Sequence, residues 1–203
     1  MKIALIGATG YAGGPIFKEA VERGHQVTAL VRHPEKVPVQ RNVVSKKVDI
    51  HDENALAKAL EGHDVVISSV RFLDTDPRAL INAVKKSHVP RYLVVGGAGS
   101  LEAVPGVSLV DTPEFPKSYQ AEAKAGVRFL EELRQEKDLN WTFLSPSANF
   151  TPEGKTGKFR LGTDQLLVDA KGESRISVQD FAVAMLNEVE HPQHRQKRFT
   201  VGY

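Results

Sequence analysis

Residues 3–14 read IALIGATGYAGG, an apolar run that breaks into glycines at positions 7, 10 and 13. A turn of this kind can hold a dinucleotide pyrophosphate. Where a helix begins, free backbone N–H groups and the helix dipole both favour an anion, provided that side chains stay out of the way. Gly7 allows the tight exit from a strand, Gly10 lets backbone approach phosphate, and Gly13 lets the helix pack closely on the sheet. The spacing is G-x-x-G-x-x-G instead of the commoner G-x-G-x-x-G. Its meaning therefore rests on context: a strand before it, a helix after it and an alternating chain beyond. Thr9, Tyr11 and Ala12 lie inside the turn and are expected beside the same phosphates.

The next strand ends at Arg32. An NAD site usually carries an acid about 20 residues beyond the glycines, bonded to the ribose 2′-hydroxyl. An acid would repel a 2′-phosphate, whereas a guanidinium can hold one bidentately. Arg32 therefore points to NADP, with NAD as the alternative cofactor. The third strand runs into VDIHD, which places Asp49 to accept from the adenine amine and Ile50 to pack on the ring. Ser68, Ser69 and Val70 follow the fourth strand and are expected on the ribose and nicotinamide side. Gly96 and Ser145, at the ends of the fifth and sixth strands, complete the expected cofactor contacts.

The elements that must position these residues alternate. Strand patterns cover 2–6, 26–31, 43–48, 64–67, 92–95 and 141–144. Helical patterns cover about 12–23, a stretch capped by Asp52, a stretch opened by Pro77 and ending near Ser87, and 118–137. Strands alternating with helices of this length indicate βαβ units and a parallel sheet. Right-handed crossovers then put helices on both faces. The expectation is an α/β single-domain Rossmann fold, doubly wound and mostly parallel, over residues 1–203, with a small C-terminal substrate region. Ligands in such sheets bind beyond the carboxyl ends of the strands. The irregular stretches 97–117 and 146–164 both follow strand ends, and 146–178 is read as the substrate-side insertion. SVQD at 177–180 matches a capping box with Ser177 as N-cap, so Asp180 reads as a structural cap before it reads as a catalytic acid.

Bulk composition narrows the function classes. A net charge of +2 with no long basic block gives no footprint for nucleic acid. No apolar run approaches the roughly 18 residues of a membrane helix. With no cysteine, disulfides, thiolate metal sites and thiol nucleophiles are excluded. The seven histidines form no metal-ligand pattern. The partners expected are a small-molecule substrate and, through an unspecified helix face, a second copy in a homo-oligomer; neither nucleic acid nor membrane is expected. The compartment expected is cytoplasmic. Lys155, Lys158 and Arg160 in KTGKFR read as a solvated hairpin, with attraction of a phosphorylated substrate such as FMN as the competing role.

At GATGYAGG, ALVRHPEKV and VDIHD the chain resembles the short atypical members of the short-chain dehydrogenase/reductase superfamily. VVGGAGSL, WTFLSPSANF, KTGKFRLG, GESRISVQDFAVAML and RFTVGY sharpen the resemblance to the bacterial NADH-flavin reductase group, similar in layout to mammalian biliverdin-IXβ/flavin reductase. The resemblance covers nearly the whole chain. It implies hydride transfer from NAD(P)H to a planar acceptor, with FMN or FAD as substrate and quinones as further acceptors. It also implies a pocket serine near Ser100, for which a loop or capping hydroxyl is the plain alternative. The relatives' histidine after the sixth strand is replaced here by Ser147, Ala148 and Asn149, which puts biliverdin-type proton donation in doubt.

Classical members of that superfamily use a Tyr and a Lys four residues apart on one helix face. Here the residue four after Tyr119 is Ala123, and Lys124 stands about 140° around a helix that turns about 100° per residue. The dyad is absent as spaced, which counts against alcohol dehydrogenase or sugar epimerase chemistry. Tyr119 is retained as a pocket-facing group, with a plain first-turn tyrosine as the alternative. Missing acid/base machinery is compatible with flavin reduction, which chiefly needs ring stacking and exclusion of water. It is equally compatible with a non-catalytic, redox-sensing NAD(P)-binding regulator.

Overall fold

Along β1 (Lys2–Ile6), Ile3 and Leu5 face one apolar cluster while Ala4 and Ile6 face another. A strand buried on both sides reads as a continuous apolar run, and this one belongs in the middle of a parallel sheet. The computed structural model describes residues 1–203. The chain continues through α1 (Gly13–Glu22), β2 (Gln26–Val31), β3 (Val43–Lys47), α2 (Glu53–Leu60), β4 (Val65–Ser68), α3 (Pro77–Lys86) and β5 (Tyr92–Val95). A short hairpin, β6 (Glu102–Val104) and β7 (Val107–Ser108), precedes α4 (Lys117–Gln135) and β8 (Trp141–Ser145). Then come β9 (Asn149–Thr151), β10 (Arg160–Gly162), β11 (Arg175–Ser177), α5 (Val178–Glu190) and β12 (Lys197–Gly202).

Eight strands form the main sheet in the order β10-β12-β8-β5-β4-β1-β2-β3. All neighbours are parallel except β10, which runs antiparallel to β12 at the edge. The order from β3 to β8 is the doubly wound Rossmann order, and the strand order reverses between β1 and β4. Helices α1 and α5 supply Ile16, Phe17, Phe181 and Met185 to one face. Helices α2, α3 and α4 supply Leu56, Leu60, Ile81, Val84, Phe129 and Leu133 to the other.

Helix starts follow local chemistry. The Asp52 carboxylate accepts from Ala55 N at 3.0 Å, and Asp76, just before Pro77, accepts from Arg78 N at 2.9 Å. Ser177 Oγ accepts from Asp180 N at 3.0 Å. The capping box is only half realised, because the Asp180 carboxylate turns away to the 156–157 loop and Tyr203. Helix α4 begins at Lys117 behind Pro116, one residue earlier than the pattern indicates. Within 146–178, β9 and β11 pair parallel to each other, while β10 joins the main sheet. No helix is long and apolar enough to cross a membrane.

Candidate nucleotide and acceptor site

The turn between β1 and α1 sits at the reversal point of the sheet. Gly7 has φ +81°, and a Cβ there would lie 2.0 Å from the Ser69 carbonyl oxygen. A Cβ on Gly13 would lie 2.0 Å from the Gly7 carbonyl oxygen. Both contacts are backbone on backbone, so these two glycines let the first turn of α1 settle onto the carboxyl ends of β1 and β4. The amides of Tyr11, Ala12 and Gly13 donate to no protein acceptor. The first turn of α1 holds no acidic residue and no side-chain cap. Three free N–H groups at a positive dipole end, with no anion of the protein's own, form a cradle that fits a pyrophosphate. Thr9 and Gly10 are exposed at its rim.

Beyond the end of β2 the Arg32 side chain is exposed and makes no ion pair or hydrogen bond. It lines a groove of about 580 Å³ with His51, Leu73, Asp74, Thr75 and Asp76. Asp74 is paired with Arg71 at 3.5 Å and Asp76 caps α3, so the two acids are already engaged. Asp49 lies exposed nearby, with Oδ1 accepting from His51 N at 2.9 Å, and Ile50 is half-buried against the α2–α3 core. Ser69 backs the Gly7 turn, its amide donating to Ile6 O at 2.9 Å. Ser68 is turned inward, its hydroxyl 2.9 Å from that of Tyr92, whose pKa burial pushes up. Val70 packs at the edge of the same core.

On the acceptor side, Tyr119 is 67% exposed in the first turn of α4. Glu122, three residues on and on the same face, accepts from Phe72 N at 2.7 Å and Leu73 N at 3.0 Å. That face of α4 thus looks onto the segment following β4, and Tyr119 stands one turn nearer the helix start. Ala123 lies close against Gly99, where an added Cβ would meet the Ala123 Cβ at 2.9 Å. The position a dyad lysine needs is therefore closed by the turn after β5, and Lys124 points to solvent. Gly96 is half-buried, its amide donating to Leu144 O at 2.8 Å. Ser145 is fully buried at the end of β8, and its Oγ has no partner. Ser100 Oγ accepts from Arg198 Nη1 at 3.0 Å.

The C-terminal segment closes over the glycine turn. Tyr11 Oη donates to Phe150 O at 3.0 Å, and the two rings meet edge to face at 5.7 Å. Phe150 in turn packs on Phe181 at 4.9 Å. Burial works to raise the Asp180 carboxyl, but donors from Thr156, Tyr203 and Gly157 outweigh it and hold its pKa low. KTGKFR, expected as a solvated hairpin, is held to the body of the protein at two of its three cations. Lys155 pairs with Glu19 of α1 at 2.6 Å, and Arg160 donates to the carbonyls of Val168 and Tyr203 at 2.6 Å each. Of the three cations only the Lys158 side chain has no partner, so the stretch is tied down as a strap at both ends. Sequence reasoning passed over Glu122 and Arg198, because the partners of Glu122 lie about 50 residues away and those of Arg198 34 and 98 residues away.

Residues 7–189 match the NAD(P)H-binding family. The chain belongs to that family. The match spans the glycine turn, the Arg32 groove and most of α5. Among curated proteins YwnB of Bacillus subtilis, an uncharacterized protein, is 44% identical over 211 residues, covering 99% of this chain and 98% of YwnB. A candidate epimerase from Bacteroides thetaiotaomicron is 44% identical with a TM-score of 0.96, the match covering 100% of this chain and 96% of that one. A candidate NADH-flavin reductase from Streptococcus pneumoniae is 38% identical with a TM-score of 0.87, covering 100% and 99%.

Proposed function

We propose that this NAD(P)H-binding protein is a reductase that takes NADPH in preference to NADH and reduces a flavin, FMN or FAD, or a quinone-like planar acceptor. When bound, the nicotinamide cofactor supplies a hydride. The chain's residues provide the rest: the 11–13 amides hold the pyrophosphate, and Arg32 holds the 2′-phosphate. Tyr119 and Leu73, both exposed, offer apolar surface to a planar ring. The observation that carries the reading is the packing of Ala123 against Gly99. It leaves the crevice without a proton relay, which chemistry on an unactivated hydroxyl needs and hydride transfer to a conjugated ring does not. The candidate flavin reductase from Streptococcus pneumoniae supports the same acceptor class.

The test follows the absorbance of reduced nicotinamide with FMN, FAD, riboflavin and menadione as acceptors. Turnover that depends on the acceptor is expected. Absence of turnover across the panel, with nucleotide binding intact, contradicts the reading. The small-molecule partner, a homo-oligomer and a cytoplasmic setting belong to the same proposal.

The Tyr11–Phe150 bond favours a second reading, a redox-sensing regulator. It ties the nucleotide turn to the C-terminal segment, so occupancy of one can reach the surface of the other. This reading expects a partner retained on the immobilised protein with NADP+ and lost with NADPH, or the reverse. Identical retention in both states speaks against it.

A further inference from the structure

Burying a guanidinium is costly unless its N–H groups find acceptors. The Arg198 side chain, in β12, is only 2% exposed. Burial lowers its pKa, and Asp164 works against that shift. Nε and Nη2 donate to Asp164 Oδ1 at 3.0 and 2.6 Å. Nη2 also donates to the Ser100 carbonyl at 3.3 Å, while Nη1 donates to Ser100 Oγ at 3.0 Å. One buried cation therefore grips both the backbone and the hydroxyl of the serine that closes the turn after β5.

The polarity of this contact is one-sided. A guanidinium has donors only, so Ser100 Oγ must accept. The serine's own proton is left with no protein acceptor. A hydroxyl that accepts from a cation becomes a better donor in turn. A second unused hydroxyl stands on the same sheet face. Arg198 is in register with Phe143 and Thr200 with Ser145, so Ser145 sits one pleat nearer the carboxyl ends of the strands. Its Oγ is fully buried and unpartnered.

We propose that Arg198 is a positioning residue that fixes Ser100 as a hydrogen-bond donor to the electron acceptor. The group so recognised is an oxygen or nitrogen of a conjugated carbonyl system. The inference rests on the reductase reading and names what that site recognises in its acceptor. In the transfer step a hydride, one proton with two electrons, leaves NADPH and bonds to the acceptor. NADP+ and the anionic reduced acceptor result, and a solvent proton completes the neutral form. Negative charge collects on the carbonyl system as the hydride arrives, and Ser100 donates a hydrogen bond to it while keeping its own proton. A donor already aimed at that charge lowers the barrier without reorganising.

The test compares wild type with Ser100→Ala, Arg198→Met, Arg198→Lys and the Ser100→Ala/Arg198→Met double variant. The readouts are kcat and KM for FMN and menadione, and the FMN dissociation constant from quenching of flavin fluorescence with NADP+ present. Ser100→Ala and Arg198→Met are each expected to lower kcat about tenfold, with a smaller rise in the FMN dissociation constant. The double variant should fall no further than either single one, because both remove the same donor. Arg198→Lys should recover part of the loss, since an ammonium still donates to Oγ. NADP+ affinity should not move. If Arg198→Met does not fold, Ser100→Ala alone still decides, because it leaves the Arg198–Asp164 pair intact. Losses that multiply in the double variant, or wild-type rates in Ser100→Ala, overturn the inference and leave the reductase reading standing. A wild type that binds NADPH but neither reduces nor binds flavin or quinone overturns both.

Discussion

Gly13 and Gly14 are adjacent, yet the structure assigns opposite consequences to an added methyl group. A Cβ on Gly13 would stand 2.0 Å from Gly7 O and 2.9 Å from Gly7 C. A carbon and a carbonyl oxygen need more than 3 Å, so the start of α1 must lift from the turn by about an ångström. Overpacking of this kind costs about 1–3 kcal/mol, and more where only backbone can yield. A Cβ on Gly14 meets nothing within 4 Å, and its amide is already bonded to Gly10 O at 2.8 Å. There Ala gains helix propensity, about 1 kcal/mol relative to Gly. For a chain of this size, each kcal/mol moves the melting temperature by roughly 2–4 °C. Gly14→Ala is therefore expected to melt about 2–4 °C above wild type, and Gly13→Ala roughly 2–12 °C below it. Calorimetry with NADP+ should show Gly13→Ala binding weakly as well, because the free amides ride on the displaced turn. Two variants that melt within a degree of each other would refute the reading of the turn as a backbone-on-backbone contact.

Asp180→Asn should lower the urea midpoint at neutral pH by removing a carboxylate that takes bonds from Thr156, Gly157 and Tyr203. The Asp180 pKa is lowered in the fold, so the stabilisation is complete above the ordinary value of 3.8 and fades as pH falls below it. The gap between wild type and variant should accordingly narrow in acid, and a gap independent of pH contradicts the assignment. Glu122→Ala leaves the amides of Phe72 and Leu73 without their acceptor and should cost about 1–3 kcal/mol in denaturant titrations. Faster amide exchange at 72–74 in that variant, with the far side of the sheet unchanged, would locate the loss.

The parts legible in the sequence were those whose causes are local. The glycine turn, the Asp52 cap, and the alternating strands β1 to β5 each depend on residues within a few positions of one another. The strap at 155–160 read as a solvated hairpin because its partners, Glu19 and Tyr203, come from distant parts of the chain. Asp180 was legible as a cap through its amide, but its carboxylate answers to tertiary neighbours. Strands β9, β10 and β11 have three residues each, too short for a period-two pattern to declare itself. RFTVGY carried resemblance, but its role as a parallel strand beside β8 depends on a pairing about 55 residues away. Ser100 showed its type and its place after β5, while the buried arginine that sets its polarity arrives from β12.

In the proposed function, the free Arg32 guanidinium beside the dinucleotide cradle holds the 2′-phosphate. The most direct test of that contact is the dissociation constant of NADPH and of NADH for wild type and Arg32→Ala by titration calorimetry. A charge-assisted phosphate contact is worth about 1.5–3 kcal/mol, roughly 10- to 150-fold in affinity. Arg32→Ala is expected to lose that factor for NADPH and to leave NADH unchanged. Equal losses for both nucleotides, or none for either, would contradict it.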